Sequence, residues 1–234
     1  MREHRLLPIL ADDQAATVPF FGLDTLWLQL SGTLCNIACR HCFITCGPKE
    51  DRVPMMTRAR VEQLLLEARE LGVKEFYFTG GEPMLHPEFF AIVERTLQEG
   101  PTHVLSNGML IDAAAAQRLR QLFDAARYSL DLRISLDGMT AEENDPVRGR
   151  GTFDAITQGI RQLATVGLSP VLTVVEHADA LRLSDARTQF LAFARSLGLP
   201  QPRVKFLPLL RIGRETRRTH GYGGDEVVRD PLPP

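Results

Sequence analysis

The chain has 234 residues, 44% of them hydrophobic and 24% charged, with a formal net charge of −2 and a pI near 6.3. That length suits one sizeable domain able to bury roughly 70% or more of its unfolded surface. The near-neutral balance argues against general nucleic-acid binding, and no window approaches the ~20 apolar residues that a membrane span requires. The opening MREHRLLPILADD has a short apolar run broken by Pro8 and followed by Asp12 and Asp13, so it lacks a secretory signal core. The expected compartment is the cytoplasm, with no membrane partner.

Residues 1–23 read as an N-terminal extension ahead of a core over 24–208. A first strand is expected at 26–30. All four cysteines follow within one short loop: Cys35, Cys39, Cys42 and Cys46, the first three spaced CxxxCxxC in LCNIACRHCFITCGP. Thiolates so close in sequence can converge on one small inorganic target, and soft sulfur favours zinc, copper or an iron–sulfur cluster over hard cations. A disulfide pair is the competing reading, disfavoured without a secretory signal in a chain long enough to fold unstapled.

Beyond the loop, short β-rich runs alternate with amphipathic runs of about fifteen residues, the pattern of a parallel sheet wound with helices. Val61, Leu64, Leu65, Ala68 and Leu71 recur at helical spacing, with Thr57 as N-cap and Gly72 as stop. Further strands are expected at 75–79, 103–106, 131–136, 171–175 and 203–207. Between them, Pro87 suits a first helical position and Gly100 an end. Asp112 caps a run to Leu122, Thr152 caps a run to Ala164 before Gly167, and Ser184 precedes a run ending at Gly198.

Six such units fit either an open doubly wound sheet or an incomplete barrel. Arg133, Ser135 and Asp137 alternate with Leu132, Ile134 and Leu136, and Arg203 and Lys205 with Val204 and Phe206. A sheet covered by helices on both faces reads as continuous apolar runs, so a charged face points to a wet lumen; the alternative is two edge strands facing solvent. No internal repeat is evident. Residues 209–234 read as a tail, in which Arg211, Arg214, Arg217 and Arg218 form a local basic stretch that is expected to be solvated.

The cysteine loop follows the first strand at its carboxyl end, where parallel folds place active sites. Three thiolates on a four-iron cluster leave one iron free for a chelating small molecule. Here the sequence resembles the radical S-adenosylmethionine superfamily, whose loop is CxxxCxΦC with an aromatic residue before the third cysteine. His41 stands at that position, a departure that puts the ring's contacts with the cofactor in question. A second motif, TGGEP at Thr79 to Pro83, ends the second strand as the family's GGEP element does. Ser106, Asn107 and Gly108 resemble its TNG element, and Ser135, Leu136, Asp137 and Gly138 its SLDG element.

The resemblance implies a partial (β/α)6 TIM-like barrel with a [4Fe–4S] cluster on Cys35, Cys39 and Cys42. S-adenosylmethionine would be bound by His41, Gly80, Gly81, Glu82, Ser106, Asn107, Ser135, Asp137 and either Arg148 or Arg150. Gly80 and Gly81 let backbone approach a ligand, and Glu82 can accept from an ammonium. It further implies reductive cleavage to methionine and a 5′-deoxyadenosyl radical that abstracts hydrogen from a peptide or cofactor precursor. An electron donor such as a flavodoxin or ferredoxin is implied as well. No catalytic acid or base is assigned, since hydrogen abstraction needs none.

The last strand, RVKFLPLLRIG, resembles the barrel end of the subgroup that includes the molybdenum cofactor biosynthesis cyclase and peptide-modifying enzymes with extra cluster domains. No cysteine follows Cys46, so the chain reads as either a minimal member or a fragment ending before such a domain. Two rivals stand beside the enzyme: an electron carrier in which Cys46 completes a four-thiolate cluster, and a structural zinc loop. Neither explains the GGEP element.

Overall fold

The computed structural model describes residues 22–178, 181 and 185–223. Six parallel strands run in the order β1 (Thr25–Gln29), β2 (Glu75–Thr79), β3 (Thr102–Ser106), β4 (Leu130–Ser135), β5 (Val171–Glu176) and β6 (Arg203–Pro208), each paired with its sequence neighbour. A strictly sequential order has no switch point, which excludes the doubly wound alternative. The sheet is open, with β1 and β6 as its edges. This is the partial barrel expected from the sequence.

The connections supply helices α1 (Arg58–Glu70), α2 (Phe89–Thr96), α3 (Ala113–Ala125), α4 (Ala141–Arg148), α5 (Thr152–Thr165) and α6 (Ala186–Ser196), and a short α7 (Thr216–Thr219) follows β6. The core lies between helices and sheet. Leu28, Phe76, Phe78, Val104, Ile134, Leu172 and Val174 alternate along the strands and pack against Leu65, Ile92, Leu119, Ile160 and Phe190 from the helices. Each fully buried side chain of this kind contributes roughly 1.5–3 kcal/mol relative to leaving it exposed.

The other face of the sheet carries the polar alternates. Trp27, Tyr77, His103 and Asp131 are register partners across β1 to β4. The first three rings stack at 4.3 and 4.2 Å. Because β4 is flanked on both sides, its charged face is not that of a solvent-facing edge strand, and the edge-strand alternative fails there. Asp131 pairs with Arg133 at 3.3 Å and with Arg203 at 2.9 Å.

Most caps stand where the residue types place them. Thr57 accepts from Arg60 N at 3.2 Å and Asp112 from Ala115 N at 2.8 Å. Two expectations are corrected. Pro87 lies outside α2, because the His86 ring accepts the Glu88 N–H at 3.0 Å and the helix opens only at Phe89; it then stops at Thr96, ahead of Gly100. Thr152 is the first residue of α5 rather than its cap. The Asp145 carboxylate reaches over from α4 and accepts from Gly151 N at 2.6 Å and Phe153 N at 2.9 Å, doing the capping itself. Ser184 lies outside the described residues. No described helix is long and apolar enough to cross a membrane.

Candidate active site at the carboxyl ends of the strands

The cysteine loop leaves β1 and is closed at its base by a parallel bridge between Leu34 and Gly47, with Cys35 N donating to Gly47 O and Gly47 N to Thr33 O, both at 3.1 Å. The loop bulges over the sheet and carries four free thiols. Burial pushes Cys35 up to about 11 and raises Cys39 as well, the latter against the pull of the Arg148 guanidinium. Cys46 N donates to Cys42 Sγ at 3.2 Å, and the interaction between the two side chains lowers the Cys42 pKa and raises that of Cys46. Cys46 also points its sulfur at Gly80 O, 3.4 Å away. Among the described residues no three Cys, His, Asp or Glu side chains are grouped to hold a single metal ion.

The TGGEP turn at the end of β2 packs directly on this loop. Gly81 N donates to Gly32 O and Glu82 N to Leu34 O, at 2.9 and 3.0 Å. A Cβ on Gly81 would fall 1.7 Å from Leu34 O, so the glycine is required for the turn to meet the loop backbone as well as any ligand. Glu82 is then turned into the interior and is only 1% exposed. One carboxylate oxygen accepts from Met84 N at 3.1 Å and Ser106 Oγ at 2.8 Å, and the other from Asn107 N at 2.7 Å. Burial raises its pKa and these donors oppose the rise. The Ser106-Asn107-Gly108 turn thus holds the GGEP carboxylate, and the Asn107 amide reaches Asn36 Oδ1 at 2.7 Å and Cys35 Sγ at 3.8 Å.

On the opposite side, His41 Nε2 donates to Asp137 Oδ2 at 2.6 Å, and Arg148 Nε lies 2.8 Å from the same oxygen. Asp137 Oδ1 accepts from Val175 N at 2.9 Å. Burial would raise the Asp137 pKa, but the Arg148 charge and the His41 hydrogen bond hold it well below the usual carboxylate range. Arg148 turns one terminal nitrogen toward Cys39 Sγ at 3.9 Å.

These groups surround one cavity of about 410 Å³. Of the residues singled out in the sequence, Cys35, Cys39, His41, Cys42, Gly80, Gly81, Glu82, Ser106, Asn107, Ser135 and Arg148 all line it. Asp137 does not: it stands behind the wall and anchors His41 and Arg148. Arg148 is buried and Arg150 exposed, which separates the two arginines. Sequence reasoning missed Thr173, whose buried hydroxyl lines the cavity without a partner among the described residues, and it expected Arg214 to be solvated, whereas that side chain binds the carbonyls of the cysteine loop. Thr173 is the one polar residue inside the apolar run Val171 to Val175, which is its mark in the sequence; nothing local signals Arg214.

An open parallel barrel with clustered thiols and a buried carboxylate at the carboxyl ends of its strands defines a class of cofactor-dependent enzyme built around an iron–sulfur centre. Residues 30–177 match the Radical SAM superfamily, and the chain belongs to that family. The family's cofactors are a [4Fe–4S] cluster and S-adenosylmethionine. The chain is 36% identical over 138 residues to mycofactocin maturase MftC of Mycobacterium tuberculosis, covering 58% of this chain and 34% of that protein. It is 32% identical over 157 residues to a probable GTP 3′,8-cyclase of Halobacterium salinarum, covering 64% and 42%. It thus spans well under half the length of either relative. Among solved structures, Streptococcus suis SuiB bound to its precursor peptide SuiA superposes with a TM-score of 0.65 at 17% identity over 86% of this chain and 43% of that one. Native anSMEcpe with bound AdoMet superposes at 0.62 with 18% identity, over 80% and 52%.

The residues fit the family's cofactors. Three thiols on one loop face the cavity, a soft donor set that suits an iron–sulfur cluster. The buried Glu82 carboxylate, its pKa raised by burial, is a group whose charge a cationic ligand would stabilise.

Proposed function

We propose that this chain is the barrel of a radical S-adenosylmethionine enzyme, with Cys35, Cys39 and Cys42 as the cluster ligands and the cavity beside them as the cofactor site. The observation that carries the reading is the convergence of those three thiols and the buried Glu82 on one cavity. When bound, the cluster and S-adenosylmethionine supply reductive cleavage to methionine and a 5′-deoxyadenosyl radical able to abstract hydrogen from a substrate.

The residues of the chain orient and shield. Glu82, locked by Ser106 and Asn107, accepts a hydrogen bond from the cofactor ammonium. Arg148, ion-paired with Asp137 through the Nε side of its guanidinium, has terminal N–H groups left to face a carboxylate, and the Ser135 hydroxyl lies on the same wall. Apolar residues including Ile37, Leu105, Val175 and Leu207 line the rest and exclude water. Cys46, whose thiol is directed at Gly80 O, stays out of the ligand set. The reducing electron comes from a small carrier such as a flavodoxin or ferredoxin.

For the substrate we propose a peptide. MftC is a maturase and SuiB was crystallised with a precursor peptide, and the sheet is open with β1 and β6 as its edges, which an extended chain could meet. A nucleotide triphosphate, as the likeness to a GTP cyclase suggests, needs several free cations. On the inner face Arg133 and Arg203 are both drawn to Asp131, and Lys205 is the exposed cation left over among the described residues.

The test is anaerobic reconstitution followed by reduction with dithionite and chromatography for 5′-deoxyadenosine, which should accumulate slowly even without substrate. A verified four-iron cluster that yields none under a competent reductant overturns the enzyme reading.

A further inference from the structure

The segment after β6 folds back onto the cysteine loop. Its 3-10 turn, Gly213–Glu215, places one residue against the carbonyls of three cysteines. Arg214 N donates to Cys42 O at 3.0 Å, one terminal guanidinium nitrogen donates to Cys39 O at 2.6 Å, and the other donates to Cys46 O at 2.5 Å. The approach is close enough that a Cβ on Gly213 would fall 2.2 Å from Phe43 O, and Gly213 takes the left-handed φ of +61° that brings Arg214 into position.

The partners are carbonyl oxygens, not carboxylates. The neighbouring Glu215 is taken by Arg218 at 2.5 Å, and no ion pair to Arg214 is formed among the described residues. Its positive charge is therefore matched by no carboxylate among the described residues and lies beside the thiols, while its planar fork spans carbonyls seven residues apart in the loop. A lysine supplies the charge as a single point and cannot make that bridge.

We infer that Arg214 is a positioning residue for the cluster: it clamps the cysteine loop around the thiols and its fixed charge raises the cluster's reduction potential. The charge acts because the reduced cluster carries one more electron, and net charge and hydrogen bonding near the sulfurs set such potentials. The inference rests on the proposed assignment of Cys35, Cys39 and Cys42 as ligands.

The test compares the full chain with Arg214→Gln and Arg214→Lys, each reconstituted with iron and sulfide under anaerobic conditions. Potentiometric titration followed by electron paramagnetic resonance reads the charge, and iron lost to a ferrous chelator over time reads the clamp. At a fixed potential, Arg214→Gln should show about a tenfold lower reduced-to-oxidised ratio, equivalent to about 59 mV for a one-electron couple. Arg214→Lys should keep a potential near the parent's yet release iron several-fold faster. A loaded Arg214→Gln with the parent's potential, or both variants with the parent's iron release, overturns the inference while leaving the cluster assignment intact. If Arg214→Gln does not load, the lysine variant decides: a potential displaced as far as tenfold in ratio despite its retained charge overturns the electrostatic role. A parent chain that binds no cluster overturns the assignment itself, and the inference with it.

Discussion

The His41 imidazole meets the Asp137 carboxylate at 2.6 Å, joining the cysteine loop to the end of β4 across 96 residues of sequence. The same carboxylate oxygen holds Arg148, and both Asp137 and Arg148 are buried. Before the third cysteine this chain therefore uses a ring with a polar anchor, and the anchor is shared with the cavity's arginine.

Removing Asp137 strands a buried cation. Asp137→Asn should lower stability by about 3–5 kcal/mol, the cost of breaking a buried pair from one side. Adding Arg148→Met should restore part of that loss, because the unpaired charge goes too. Urea denaturation of the two variants and the parent measures both effects, and a double variant no more stable than the single one would refute the pairing as the cause.

Cys46 separates the enzyme from an electron carrier. Its backbone N–H donates to Cys42 Sγ and its thiol to Gly80 O, and an alanine keeps the first of these, so Cys46→Ala should retain four-iron loading and the spectral response to S-adenosylmethionine, with a stability loss of about 1 kcal/mol for the missing thiol hydrogen bond. Cys35→Ala, Cys39→Ala and Cys42→Ala should each abolish stable loading. Iron and sulfide content with electron paramagnetic resonance decides the matter. Loss of the cluster in Cys46→Ala, with no cofactor response in the parent, points to a four-thiolate carrier instead.

The strands were legible because period-2 alternation and turn glycines are local properties, and all six stand within a residue or so of their expected bounds. Helix α4 was not legible, since Pro146 interrupts its pattern, although Thr140 followed by Glu143 is a capping signal that would have located its start. The cavity wall was readable as motifs, but which motif residue faces inward depends on tertiary packing. Asp137 looks like a ligand group in the string SLDG and turns out to spend both oxygens on protein donors. Arg214 lies 168 residues from Cys46, one of the loop residues it binds, and in sequence is one of four nearby arginines with no mark to distinguish it.

Glu82 is held by three protein donors and still borders the cavity. Glu82→Gln should weaken S-adenosylmethionine binding by about 1.5–3 kcal/mol, the range for a hydrogen bond to a charged group, while iron content stays near the parent's. Glu82→Ala should add a stability loss, because Ser106 Oγ and Asn107 N lose their acceptor in a buried place. Equilibrium titration of the reconstituted variants with cofactor measures the first effect and thermal melts the second. Parent-like affinity in both variants removes Glu82 from the cofactor site.

Asp131 makes the acid side of the stability profile predictable. Burial raises its pKa, but the His103 hydrogen bond, the Arg203 charge and the Arg133 hydrogen bond outweigh that and bring it down to about 2. A folded value below the unfolded ~3.9 means that the contribution is complete above about pH 4 and is lost as pH falls toward 2. Asp131 is partly open to solvent through its partners, so the full linkage energy is discounted to about 1 kcal/mol. Glu75 also faces His103, at 3.1 Å, and keeps part of the network paired when Asp131 is replaced. Asp131→Asn should therefore be less stable than the parent by about 1 kcal/mol at pH 7, with the two converging between pH 4 and pH 2. Urea midpoints measured across that range test it, and a gap that stays constant or widens on acidification would show that the carboxylate's charge is not what Asp131 contributes.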